Sequence, residues 1–154
     1  MKPNKHIVVP PGEGNTLNVL GAAYTVKISG AETNSAFCLT EALNPPQSFV
    51  PLHTHTREDE SFYILEGALE IRCGDHTFNA PQGTAVLLPR NVPHAFRNAG
   101  NVPAKVLITL TPAGFEGFFE EAAQLPADQP PDPKKLAAIG RKYGLEFVPP
   151  PVQG

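Results

Sequence analysis

The feature that most constrains this chain is a short segment in which two histidines stand two residues apart. The segment from Pro51 to Gly67 reads PLHTHTREDESFYILEG, and its histidines are His53 and His55. Because successive side chains of a β-strand point to opposite faces, residues two apart project from the same face. The spacing therefore predicts a strand that aims both imidazole rings at one point.

A carboxylate follows the histidine pair at a distance that can bring it back to the same point. Four polar residues come next and predict a turn, after which Glu60, Phe62 and Ile64 occupy one face of a second strand. If the two strands are partners in a hairpin, Glu60 returns towards the histidines. We interpret its acidic neighbours, Glu58 and Asp59, as solvated turn charges.

A third histidine opens a later strand-like run. His94 comes directly after the proline-bracketed turn from Pro89 to Pro93. Imidazoles combined with a carboxylate suit a divalent transition metal better than Ca²⁺ or Mg²⁺, which prefer oxygen ligands. We therefore take His94 as the candidate fourth ligand of a metal site that begins with the histidine pair and Glu60.

These two segments resemble the two sequence motifs of the cupin superfamily. The matching positions are His53, His55, Glu60 and Gly67 in the first motif and Gly83, Pro89, His94 and Asn98 in the second. Asn91 stands where the pattern usually has another glycine, and asparagine tolerates the left-handed backbone region that the turn needs. The resemblance implies an all-β fold, the cupin double-stranded β-helix or jelly-roll barrel. It also implies one divalent transition metal ion bound by His53, His55, Glu60 and His94, with iron, nickel, manganese, copper and zinc all open.

Within this superfamily, two parts of the chain are similar to small single-domain proteins related to quercetin dioxygenase. They are the run from Tyr63 to Gly67 and the segment that begins at Thr111. This similarity implies a metal-dependent dioxygenase acting on a small apolar or aromatic oxygenated substrate, with Glu60 as a ligand and as the candidate catalytic proton acceptor. A metal-dependent isomerase, lyase or decarboxylase stays open, as does a non-catalytic module that binds a metal or a small ligand.

Strand parity predicts which side chains form the wall of the substrate site. Phe49 lies an even number of residues before His53, Phe62 lies two after Glu60, and Phe96 lies two after His94. Each phenylalanine is therefore expected on the face that carries the ligands. A barrel interior with apolar walls and a few polar groups is typical of a small-molecule site.

Composition limits the partners and the cellular location. A formal charge of −3 gives no reason to expect nucleic acid or an anionic membrane surface as a partner. With two cysteines and no apolar run near the ~20 residues of a membrane helix, the chain is expected in the cytoplasm. The predicted partner is a small molecule, and the resemblance adds a homodimer.

The order of patterns along the 154 residues predicts one core domain with additions at both ends. Residues 1–14 are expected to form an N-terminal arm, and residues 15–112 the barrel, with about nine strands. The run from Leu17 to Ile28 is interpreted as one of these strands. Residues 113–154 are expected to form a helical extension with a proline-rich tail.

Two short helices are predicted in the C-terminal extension. Thr111 and Asp132 each precede a proline, as an N-cap residue precedes a first-turn proline. An aromatic stripe after the first signal is interpreted as a helix face packed on the barrel. Gly144 is the expected C-terminal cap of the second helix.

Overall fold

In the computed structural model, residues 6–149 are described and form a β-sandwich with two short helices near its C-terminus. The strands of this part of the chain are β1 (Asn15–Val19), β2 (Ala22–Ile28), β3 (Cys38–Asn44), β4 (Phe49–His55), β5 (Asp59–Glu66), β6 (Ala68–Cys73), β7 (His76–Pro81), β8 (Ala85–Leu88), β9 (His94–Arg97), β10 (Ala104–Thr111) and β11 (Leu145–Phe147). The helices are α1 (Glu116–Ala122) and α2 (Pro133–Lys142).

The strands pair into two antiparallel sheets that face each other. The six-stranded sheet has the order β1-β2-β3-β10-β5-β8, and the five-stranded sheet has the order β11-β4-β9-β6-β7. Consecutive strands repeatedly change sheets, as in β3 to β4 and β4 to β5, which is the jelly-roll arrangement. The predicted all-β jelly-roll fold is confirmed.

The core lies between the sheets and follows from period-two alternation. In β10, Ala104, Val106, Ile108 and Leu110 are buried while the residues between them are partly or fully exposed. Ile64 on β5 and Ile71 on β6 are completely buried on the inner faces of the two opposing sheets. Burial of each such side chain stabilises the folded state by about 1.5–3 kcal/mol, so the alternation fixes which face of each strand points inward.

The first predicted strand is in fact a hairpin. Leu20 and Gly21 both have positive φ values, 52° and 79°, and turn the chain between β1 and β2. Two consecutive positive φ values are the signature of a type I′ turn, whose twist matches that of the paired strands. This turn was not predicted from the apolar run between Leu17 and Ile28, because leucine, here Leu20, rarely adopts the left-handed conformation.

One of the two predicted helix starts is wrong and the other is confirmed. Helix α1 begins at Glu116, five residues after Thr111, and its N-cap position makes no side-chain hydrogen bond. At α2, the Asp132 side chain accepts a hydrogen bond from the backbone N–H of Lys134 at 2.9 Å, as predicted. Gly144 follows this helix with φ +74°, which fits the expected C-terminal cap.

Strand β11 was not predicted, and it joins the sheet beside the strand that carries the histidine pair. Leu145 and Phe147 are the register partners of His55 and His53 on β4. The carbonyl of Gly144 also accepts hydrogen bonds of 2.9 Å from both the backbone N–H and the side-chain hydroxyl of Thr56. Three residues are too few for a periodic signal, so only this pairing identifies the strand.

Two further sequence-based expectations concern the ends of the chain and the membrane. Residues 1–5 of the predicted arm and residues 150–154 of the predicted tail lie outside the described residues. Neither helix in residues 6–149 has the length and apolar character needed to cross a membrane.

Gly67 of the first cupin-like motif and Gly83 of the second differ in how closely other atoms surround them. Both have positive φ, but a Cβ on Gly67 would lie 2.7 Å from the Pro103 carbonyl oxygen, whereas one on Gly83 would meet nothing within 4 Å. We expect Gly83→Ala to lower the free energy of unfolding by about 1–2 kcal/mol through backbone strain, and Gly67→Ala by roughly 2–4 kcal/mol. Urea denaturation of both variants measures the difference, and equal losses would show that crowding at Pro103 is unimportant.

Candidate metal centre

Two adjacent strands of the five-stranded sheet bring the three predicted histidine ligands together. His53 on β4 is the register partner of His94 on β9, and His55 lies two residues further along β4. The ring centroids of His53 and His94 are 4.3 Å apart, and one ligand nitrogen from each of the three rings lies within 4.8 Å of the others. All three side chains are buried. The cluster can therefore hold one metal ion.

Glu60 reaches this cluster from the opposite sheet. Strand β5 belongs to the six-stranded sheet, so the expected hairpin pairing of β4 with β5 is wrong. The carboxylate nevertheless lies in the interior, with its Oε2 atom 2.9 Å from Nε2 of His55. Glu60 nevertheless points towards the histidines, as predicted, because the inner faces of both sheets border the same interior space.

Backbone carbonyls orient two of the imidazole rings. Nδ1 of His53 lies 2.7 Å from the Pro51 carbonyl oxygen, and Nδ1 of His94 lies 3.4 Å from that of Val92. A carbonyl oxygen only accepts, so these contacts place the ring proton on Nδ1 and leave the lone pair on Nε2. Nε2 of His94 is buried and has no hydrogen-bond partner within residues 6–149. An unpaired buried acceptor of this kind fits a metal ligand.

Glu58 is a part of the site that the sequence interpretation missed. Its side chain is only 3% exposed, and Oε2 lies 3.5 Å from Nδ1 of His55. The interpretation of Glu58 as a solvated turn charge is therefore wrong, because the turn after β4 directs it inward beside a histidine. Asp59 does lie near the surface, where it pairs with Arg90 at 3.2 Å. Glu58 thus supplies negative charge behind His55, as carboxylates often do behind metal-bound histidines.

Burial and mutual contacts set the charges of the metal-free cluster. Burial lowers the pKa of His53 to about 3, with added repulsion from the neighbouring histidines, so this ring is neutral. Burial alone would disfavour the charged forms of His55 and Glu60, but their attraction outweighs it. The pKa of His55 is raised to about 9 and that of Glu60 is lowered to about 2. A metal ion bound by His55 would therefore displace a proton.

The cluster forms one wall of a small, mainly apolar cavity. The cavity has a volume of about 40 Å³, and its polar lining residues in the described chain are His53, His55, Glu60 and Tyr24. The remaining lining residues are Val19, Leu20, Val50, Phe96, Ile108, Phe115, Phe118, Phe119, Leu145 and Phe147. The site therefore combines metal-binding groups with a dry, aromatic surround.

The three phenylalanines predicted to line the site have different positions. Phe96 lines the cavity, and Phe62 is buried with its ring perpendicular to that of Phe96 at 5.2 Å. Phe49 is 65% exposed, so its predicted place in the wall is wrong. The register of β4 against β9 gains one residue between Val50 and His53, and this β-bulge reverses the alternation. Val50 therefore faces the cavity instead.

Residues from the C-terminal segment cover the cluster. The ring of Phe115 is perpendicular to that of His55 at 4.5 Å, and the ring of Phe147 lies 6.3 Å from that of His53. We call the lining residues Phe115, Phe118, Phe119, Leu145 and Phe147 the C-terminal cover. Sequence reasoning placed the phenylalanines of α1 against the barrel but did not place them over the metal ligands. The aromatic stripe was the available signal, and it gives no position along the barrel.

The donor set fits a divalent transition ion. His53, His55 and His94 offer imidazole nitrogens, and Glu60 offers a carboxylate oxygen from the opposite wall. Three nitrogens and one oxygen match the mixed ligation of iron, manganese, nickel, copper or zinc. Four protein ligands leave one or two positions open on an ion that prefers five or six.

Comparison with known proteins agrees with the fold and the site. The sequence model of the cupin domain matches residues 40–110, which include all four predicted ligands. The tetracenomycin polyketide synthase protein TcmJ of Streptomyces glaucescens is 31% identical over 67 residues, or 44% of this chain and 45% of that protein. Quercetin 2,3-dioxygenase of Bacillus subtilis is 25% identical over 112 residues, or 73% of this chain and 33% of that protein. The chain spans about half the length of the first curated relatives it matches.

A solved structure gives the same result for the fold. The structure of KdgF from Halomonas sp. has a TM-score of 0.65, with 15% sequence identity, and the match covers 73% of this chain and 98% of that one. At this identity the likeness concerns the fold alone. The matched domain shows that residues 40–110 belong to the cupin superfamily, and the motif residues and the fold agree with it.

The His55–Glu60 pair predicts how the stability of the metal-free protein depends on pH. Glu60 stabilises the fold above its ordinary pKa of 4.5, and this contribution is lost as the pH falls towards 2. His55 stabilises the fold below its ordinary pKa of 6.5, and this contribution is lost as the pH rises through 9. In urea denaturation, Glu60→Gln should therefore lower the free energy of unfolding most at about pH 5.5, by about 1.5–3 kcal/mol, and less near pH 9.5.

The control for this prediction is Glu66→Gln, which removes an exposed carboxylate from the end of the same strand. We expect that variant to follow the parent protein across the whole pH range. A loss in Glu60→Gln that is independent of pH would contradict the buried ion pair.

Proposed function

We propose that this protein is a metal-dependent dioxygenase that acts on a small apolar or aromatic substrate carrying oxygen atoms. The observation that supports this most directly is the cavity, where His53, His55 and the Glu60 carboxylate face an otherwise largely aromatic wall. Such walls bind apolar compounds and exclude water from the reacting atoms. The similarity to quercetin 2,3-dioxygenase supports the same reaction class.

In this proposal, His53, His55, His94 and Glu60 hold one divalent transition ion. The ion would supply open positions for a substrate oxygen and for dioxygen. The contacts of Nδ1 with the Pro51 and Val92 carbonyls keep two of the rings in the ligating orientation before the ion arrives.

Glu60 is the proposed proton acceptor of the reaction. Its carboxylate lines the cavity and contacts only one histidine nitrogen at hydrogen-bond distance among the described residues. A carboxylate that binds a divalent ion is held anionic by it, so Glu60 is a weak base while it is a ligand. Acceptance of a substrate proton therefore requires Glu60 to loosen from the ion.

The size of the cavity implies that the C-terminal cover moves when a ring-containing substrate binds. A cavity of about 150 Å³ is needed to hold benzene, and the present one is about 40 Å³. Phe115 stands over His55 at the start of α1 and lies outside both sheets, whereas Phe147 lies on β11, which pairs with β4. Displacement of Phe115 together with α1 would open the cavity without disturbing the sheets.

A second candidate function uses the same ion only as a Lewis acid. The similarity to TcmJ favours it, because that relative belongs by name to polyketide synthesis. Polarisation of a substrate carbonyl by the ion, with proton transfer by Glu60, would suit an isomerase, lyase or cyclase. Both candidate functions share the metal site and differ in the need for dioxygen.

Metal binding can be measured directly. Purified protein should retain about one transition metal ion per chain, and His53→Ala/His55→Ala should lose it, because two of four ligands are removed. His76→Ala is the matched control, since His76 is an exposed histidine on β7. Elemental analysis of the three proteins decides the question, and equal metal in the double variant would refute the site.

The reaction class is tested by oxygen consumption. Protein loaded separately with iron, manganese, nickel or copper should consume oxygen when mixed with a flavonol or another small polyphenol, and Glu60→Gln should slow this by about 100-fold or more if Glu60 is the base. Product formation that continues without oxygen, or in zinc-loaded protein, would support the Lewis-acid function instead. A loaded protein that transforms no such substrate under either condition would support a non-catalytic binding module.

The expected homodimer and cytoplasmic location stay predictions. The outer face of the six-stranded sheet carries Leu43, Tyr63 and Leu87, which are all exposed. A second copy of the chain placed on this face would remove them from water.

A further inference from the structure

Tyr24 lies in the cavity together with the candidate metal ligands. It occupies the inner face of β2, between the buried residues Ala22 and Val26, and so projects from the sheet opposite His53 and His55. Its ring stacks on that of Phe119 in the C-terminal cover, with centroids 4.4 Å apart. Tyr24 is therefore fixed between the sheet and the cover, at the edge of the space that a ligand would enter.

Among residues 6–149, the hydroxyl of Tyr24 has no hydrogen-bond partner. The residue is 5% exposed, and it lines the cavity. The hydroxyl is not one of the fully enclosed polar atoms that lack a partner, which in the described chain belong to Thr40, His55, Glu58 and His94, so it opens onto the cavity. A molecule bound in the cavity can therefore serve as its hydrogen-bond partner.

The chemistry of the cavity restricts what the hydroxyl can bind. Burial and the nearby Glu60 carboxylate raise the pKa of Tyr24, so the phenol stays protonated. Apart from the histidines and Glu60, no other polar side chain of the described residues lines the cavity. A molecule in this space therefore finds one neutral donor, Tyr24, facing the metal-binding wall.

We propose that Tyr24 binds the substrate by donating a hydrogen bond to an oxygen atom of the molecule that the metal holds. The substrate class is then an apolar compound that carries an oxygen atom able to accept a hydrogen bond within reach of the metal-binding wall. The metal would hold the molecule from one side, and the phenol would contact that oxygen from the other. This inference rests on the proposed metal site, and it applies to both the dioxygenase and the Lewis-acid function.

The test uses Co²⁺-loaded protein and two small probes that each have five non-hydrogen atoms. Acetohydroxamate presents two oxygens, whereas imidazole binds a metal through one nitrogen and leaves only an N–H donor. Titration of each probe is followed by the visible absorption of the bound Co²⁺, which reports the ligands of the ion rather than activity. The proteins compared are the parent, Tyr24→Phe and Tyr63→Phe, because Tyr63 is an exposed tyrosine on the outer face of β5.

We expect Tyr24→Phe to weaken acetohydroxamate binding by about tenfold or more and to change imidazole binding by less than about twofold. Tyr63→Phe should bind both probes like the parent. The Co²⁺ content should be the same in all three proteins. The urea midpoint of Tyr24→Phe should be close to that of the parent, because the variant keeps the ring and loses a hydroxyl that makes no hydrogen bond within residues 6–149.

Five results would overturn the inference. Equal acetohydroxamate affinity in Tyr24→Phe would show that the hydroxyl does not contact the bound molecule. An equal loss for both probes, or a marked drop in the urea midpoint, would show that the hydroxyl supports the fold and not the ligand. Co²⁺-loaded parent protein that does not bind acetohydroxamate would reject the inference alone, whereas parent protein that binds no Co²⁺ would reject the proposed function with it.

Discussion

The structure depends on a cluster of polar side chains enclosed between two apolar sheet faces. Removing three imidazoles and two carboxylates from water is unfavourable unless each group has a partner. Carbonyls of Pro51 and Val92 serve His53 and His94, while His55 lies between Glu58 and Glu60. Within residues 6–149, Nε2 of His94, Nδ1 of His55 and Oε2 of Glu58 make no hydrogen bond. The groups that have partners allow the cluster to form without an ion, and the unpaired ring nitrogen of His94 is free to bind one.

Elements near the cluster were predictable from sequence where strand parity governs them. The directions of His53, His55, Glu60 and His94 follow from alternation and are as expected. Asn91 also adopts the predicted left-handed conformation, with φ +66°. These features depend on residues close in sequence, so the information that specifies them is local.

Features that depend on contacts between distant segments could not be predicted in the same way. The bulge in β4 turns Phe49 outward because of its register against β9, which the sequence of β4 alone does not encode. Glu58 has the composition of an exposed turn residue and is buried only because the following turn folds under His55. Tyr24 became a site residue only when its strand was placed across the sandwich from the histidines, and its alternation pattern matches that of any core tyrosine.

The fold of this protein does not by itself define its function. The jelly roll supports many chemistries, and the relatives TcmJ and quercetin 2,3-dioxygenase differ in the processes that their names describe. The cavity of this chain is lined by the phenol of Tyr24 and by the phenylalanines of the C-terminal cover, all of which lie outside the two motifs.

The pairing of β11 with β4 has a consequence for the order in which the site can be completed during synthesis. Translation proceeds from the N-terminus, so His53 and His55 leave the ribosome about ninety residues before Leu145 and Phe147, their neighbours across the strand pair. During that interval the histidines have only one flanking strand to pair with. A nascent chain can thus meet its metal while the site is still open to the surroundings, and the last residues of the fold then enclose it.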